Sequence, residues 1–157
     1  MTPNDIALLA LCAIAMWTDI RTQKIKNWLT FPMMLAGVAS APIFAAHYYD
    51  GALGLLAALV VAIPGWRFGG AIRAGDVKML MAAGALLGPE CGVRAVIWTY
   101  MLGLPCGLLV LLVKGKLGNL WRFWVKKERS DPTIVAHAPV VALGILAARI
   151  QPFPDLW

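Results

Sequence analysis

Acids are scarce in this chain, with eight Asp and Glu among 157 residues. Two of them stand where an apolar run meets a basic segment. Asp19 follows the run 6–18 and precedes the basic turn IRTQKIKN. Asp76 stands in IRAGDVKMLMAAG (72–84), where a Gly-containing stretch turns into an apolar helical run. Two carboxylates held at one depth on different helices can share one proton and hold a water between them. One then acts as base toward the water while the other protonates the carbonyl oxygen under attack. That chemistry hydrolyses a peptide bond with neither a metal nor a covalent intermediate.

Each of these residues also has a structural reading. Asp76 is placed to cap a helix that starts beside it, accepting its free N–H groups. Asp19 is placed to reach the interface and pair with Arg21 or Lys24. Asn27 reads as a cap of the following helix or a bond to the loop, and Lys78 as a surface anchor or electrostatic neighbour rather than a catalyst. His47 and His137 have no partners at metal-ligand spacing, so no metal and no cofactor is expected. Cys12, Cys91 and Cys106 show no C-x-x-C spacing and lie in apolar surroundings, which reads as small buried hydrophobes.

The elements that must carry the two acids follow from composition. The chain is 61% hydrophobic and 14% charged, with mean hydropathy +0.74, which excludes an ordinary soluble domain of this size. We expect an all-α polytopic membrane protein with about six transmembrane helices, forming a single domain over residues 1–157 with no separate soluble part. The apolar runs are 6–18, 28–46, 51–66, 77–87, 93–113 and 134–150. The first is short for a span of ~30 Å at ~1.5 Å per residue, so its helix is expected to continue past Asp19 toward Arg21. The first run is not read as a signal peptide, because Asp5 precedes it and the basic residues come after it. The Trp-rich basic stretch LWRFWVKK (120–127) reads as amphipathic and interfacial, a site for membrane lipid.

Alternating the spans collects eleven of the fourteen basic residues (Arg21, Lys24, Lys26, Arg67, Arg73, Lys114, Lys116, Arg122, Lys126, Lys127 and Arg129) on one side. By the positive-inside rule that side is cytoplasmic and both termini are external. The net charge of +6 then reports topology, and no nucleic-acid partner is expected. Asp19 and Asp76 fall at the cytoplasmic ends of the first and fourth spans. Topology alone therefore brings them to the same membrane face. Helix ends suggest a division of the proton: Asp76 at a helix N-terminus as carboxylate, Asp19 at a C-terminus as the protonated partner.

The two segments DIRTQKIKN (19–27) and AGDVKMLMAAG (74–84) resemble the two aspartate motifs of type IV prepilin peptidases, membrane aspartic proteases of the G-x-G-D class. Asp19, Arg21, Ile25 and Asn27 match the D-x-R and I-x-N elements of the first motif. Gly75, Asp76, Val77 and Lys78 match the G-D-x-K core of the second. HAPVVALG (137–144) resembles the closing Pro/Ala/Gly pattern of the family, and the short chain resembles its tight-adherence (Flp pilus) branch. Arg73 stands where the family has the first glycine of G-x-G-D.

The resemblance implies a bacterial cytoplasmic-membrane endopeptidase with Asp19 and Asp76 catalytic and Arg21, Asn27, Gly75 and Lys78 supporting them. It implies a pilin or pseudopilin precursor as substrate, cut at the cytoplasmic face. The long cysteine-bearing insertion of bifunctional members is absent from the sequence, so cleavage without N-methylation is expected. Two other classes compete: a non-enzymatic membrane subunit of a pilus or secretion assembly, and a proton-coupled transporter component. The latter would place its acids nearer the midplane and show repeat-related segments; no internal repeat is evident. The sequence carries no signal of oligomeric state.

Overall fold

The computed structural model describes residues 2–22, 24–45, 47–69, 72–113 and 138–150. The basic connection around 114–132, with its 120–127 stretch, and His137 lie outside the described residues. The fold is all-α. Among the described residues it comprises α1 (Pro3–Thr22), α2 (Asn27–Phe44), α3 (Asp50–Pro64), α4 (Ala74–Leu87), α5 (Pro89–Val113) and α6 (Ala138–Ile150), with a π-helical turn at Gly65–Gly69 continuing α3.

Local chemistry sets where the helices begin and end. Thr2 and Asp5 form a reciprocal cap at the start of α1. The Thr2 N–H donates to Asp5 Oδ2 at 2.7 Å and the Asp5 N–H to Thr2 Oγ1 at 3.2 Å, while Pro3 takes the first helical position, where its missing N–H costs nothing. As expected, α1 continues beyond Asp19, to Thr22. At the other end of the fourth run, Gly88 adopts φ 87° and donates its N–H to Gly84 O at 2.8 Å. That left-handed conformation, open to Gly without strain, stops α4 so that Pro89 can open α5.

The short helix α4 is the axis of the bundle and packs on all five other helices. Its buried face comprises Asp76, Val77, Met79, Leu80, Ala82, Ala83, Gly84, Ala85 and Leu86. Apolar lipid gives helices no hydrophobic reason to associate, so close backbone packing must supply the attraction. At the α3–α4 crossing a methyl group on either Gly54 or Gly84 would collide with the other's backbone carbonyl. At the α2–α4 crossing a methyl on Gly37 would lie 2.6 Å from the Ala85 carbonyl carbon. Only glycine allows approaches this close.

The outward faces are also apolar. Ile6, Ile20, Leu35, Ile43, Leu56, Val60 and Leu104 are all more than half exposed, an arrangement suited to lipid and not to water. Trp17, Trp28 and Trp66 are exposed at one end of the bundle and Phe44, Tyr48 and Tyr49 at the other, as in the aromatic belts of membrane proteins. Three helical segments, Pro3–Thr22, Asn27–Phe44 and Asp50–Arg67, are long and apolar enough to cross a membrane, and Ala138–Ile150 is a shorter apolar helix.

Two sequence expectations need correction. Cys12 is buried, but Cys91 is only half-buried and Cys106 is exposed, because the outer surface is as apolar as the core and a cysteine in an apolar run can face either. Asn27 does not cap α2. Lys26 holds the cap position without a side-chain bond, and Asn27, the first helical residue, directs its side chain elsewhere.

Candidate active site

Among the described residues the buried charged side chains are Asp19, 4% exposed, and Asp76, 3% exposed. An ionisable group is expensive to bury without hydrogen bonds to compensate. Asp19 lies in the last turn of α1 and Asp76 in the first turn of α4. The two helices pack on each other and present these residues at the same end of the bundle, where α2 and α6 begin.

Each carboxylate accepts a backbone N–H. Asp76 Oδ2 accepts the N–H of Arg73 at 3.1 Å. Asp76 therefore sits three positions inside α4, reaching back to the cap residue, and is not itself the cap as its place in the sequence allowed. Arg73, the departure from the glycine pattern, is extended, with φ −86° and ψ 158°, and serves Asp76 through its main chain. Asp19 Oδ2 accepts the N–H of Ala138, the first residue of α6, at 3.0 Å. Arg21, one of the residues expected to pair with Asp19, instead lies over the Trp17 ring, 4.2 Å from its centroid. The expected asymmetry between helix ends is also offset. Asp19 lies at the C-terminal end of its own helix but faces the N-terminus of α6, so both carboxylates meet the positive end of a helix.

The two motif segments are joined to each other beside the acids. Gly75 packs on Ile25, whose Cβ would lie 3.3 Å from a Cβ added at the glycine. Lys78 Nζ donates to Asn27 Oδ1 at 2.9 Å and lies 5.4 Å from the centroid of the Phe31 ring. Thus Ile25, Asn27, Gly75 and Lys78, separated by some fifty residues, form one contact between the start of α2 and the start of α4. At the opposite end of the bundle Arg149 Nε lies 2.9 Å from Asp5 Oδ1 and Arg94 pairs with Glu90.

Two contacts, at Asp19 and at the π-helical turn, carry no mark in the sequence. Ala138 lacks any side-chain chemistry that would mark it. Tyr100, on α5, uses its hydroxyl to accept the Gly65 N–H at 3.0 Å and to donate to Ala62 O at 3.3 Å, anchoring the π-helical turn; such turns often occur at functional sites. Its only signal in the sequence is a phenol within an apolar run. Among the described residues no three His, Cys, Asp or Glu side chains group as metal ligands.

Apolar helices around two buried carboxylates fit a polytopic membrane protein. The family model of the type IV leader peptidases matches residues 6–108, a segment that includes both aspartates, and the chain belongs to that family. No curated protein and no solved structure matches it.

Proposed function

We infer that the protein is a membrane aspartic endopeptidase that removes the leader peptide from type IV pilin or pseudopilin precursors at the cytoplasmic face. The supporting observation is the pair of buried carboxylates, Asp19 and Asp76, at the same end of two packed helices. One carboxylate takes a proton from a water as its oxygen attacks the scissile carbonyl carbon. The other, protonated, donates to the carbonyl oxygen, and the tetrahedral intermediate collapses as the leaving amine is protonated.

Ile25, Asn27, Gly75 and Lys78 hold the two motif segments in register beside the pair, while Arg21 rests on Trp17 of its own helix. The domain spans residues 1–157, cleaves without methylating, and serves a tight-adherence pilus from the bacterial inner membrane, with its basic loops cytoplasmic and both termini external.

The test is incubation of the purified protein in lipid vesicles with a pilin precursor, alongside Asp19→Ala and Asp76→Ala. The parent releases the leader, each variant leaves the precursor intact, and a metal chelator has no effect. Processing by either variant at the parent's rate, or its abolition by the chelator, refutes the dyad.

A further inference from the structure

We propose that the first turn of α6 is a positioning element for Asp19, acting through the backbone N–H of Ala138. The proposal rests on the reading of Asp19 as one of the two catalytic acids.

The first N–H groups of a helix have no acceptor within it. Among the described residues of α6 the first donor belongs to Ala138, and the next residue, Pro139, has none to offer. Ala138 is fully buried and Asp19 nearly so, so the 3.0 Å bond between them pairs a buried donor with a buried acceptor. With Oδ2 fixed in this way, rotation about the Cβ–Cγ bond is restrained, and the plane of the carboxylate is set before substrate arrives.

The donor is placed by packing further along the same helix. A methyl on Gly144 would lie 2.5 Å from Thr99 Oγ1 and 2.8 Å from the Thr99 nitrogen. The Thr99 hydroxyl is itself committed to Ala95 O at 2.7 Å. Ala138, Val141, Ala142, Ile145 and Ala148 are buried along the same helix. The fit at Gly144 fixes how far α6 slides along α5, and hence where the Ala138 N–H meets α1. Asp19 is in effect the cap of α6, supplied from a helix far away in sequence.

The experiment measures kcat and KM for precursor processing by the full chain in vesicles. Ala138→Pro deletes the N–H, and Ala138→Gly retains it. Misplacement of a reacting group lowers the chemical step, so Ala138→Pro should lower kcat on the order of a hundredfold with KM little changed. Ala138→Gly should restore most of the rate. Parental kcat in Ala138→Pro overturns the proposal.

Should that variant fail to fold, thermal unfolding of Asp19→Asn against Asp19→Ala decides. Asn retains an oxygen for the Ala138 N–H and Ala does not, so the Asn variant should unfold about 3 °C or more above the Ala variant. Equal midpoints overturn the proposal. If Asp19→Asn processes precursor at the parent's rate, the catalytic reading itself fails. If it is inactive while Ala138→Pro is fully active, that reading stands and the positioning role falls.

Discussion

Lys78 Nζ donates to Asn27 Oδ1 over 2.9 Å, joining the first turn of α4 to the first residue of α2 and closing the gap between the two segments that carry the acids. The bond is accessible to solvent at the end of the bundle, so its contribution to stability is modest. Asn27→Ala and Lys78→Met are expected to be non-additive, with a coupling of about 0.5–1 kcal/mol in a double-mutant cycle followed by thermal unfolding. Processing should fall in both single variants and fall little further in the double. Fully additive losses would show that the two side chains act apart.

The glycine crossing between α3 and α4 gives a prediction of opposite signs at two glycines. Gly54→Ala forces a methyl onto the Gly84 carbonyl and should cost about 1–3 kcal/mol or more, since backbone cannot yield as a side chain can. Gly103 meets only Val140 Cγ1, 3.9 Å from an added Cβ, which is ordinary contact. Gly103→Ala should therefore gain about 0.5–1 kcal/mol from helix propensity. Unfolding midpoints in detergent compare the two directly, and a Gly54→Ala protein as stable as the parent would contradict the packing described.

Arg73 contributes its main-chain N–H to Asp76, in a conformation that glycine adopts equally well. Arg73→Gly, which restores the family's glycine, should retain most of the parent's processing rate. A loss as deep as that of Asp76→Ala would mean that the guanidinium takes part.

How much of this was legible in the sequence depends on whether one helix or two carry the signal. Asp19 and Asp76 are visible because they stand where apolar runs meet basic segments, and charge alternation among the loops sends both to one face. The extension of α1 to Thr22 follows from the length a span requires. The faces of the helices are hidden, because lipid and protein interior are both apolar and hydrophobic periodicity fades. Hence Cys106, which lies in an apolar run, is exposed. The Ala138 donor, the Tyr100 hydroxyl at the π-helical turn and the Asn27–Lys78 bond were illegible for another reason. Each depends on where a second helix lies, and the identity of one residue carries no record of its partner. The start of α4 at Ala74, ahead of the apolar run itself, changed Asp76 from a cap into a residue that reaches back to one.

The central claim is that Asp19 and Asp76 are the acid and base of one site, and Asn substitution tests it most directly because it keeps shape and acceptor oxygens while removing the carboxylate. Processing of a pilin precursor should be measured in vesicles for Asp19→Asn, Asp76→Asn and the double variant. Arg149→Ala, at the opposite end of the bundle, serves as the control. Each Asn variant is expected to fold and to lose at least about a hundredfold in rate, the double to lose little more than either single, and Arg149→Ala to match the parent. A folded Asp19→Asn or Asp76→Asn protein that processes precursor at the parent's rate would contradict the claim.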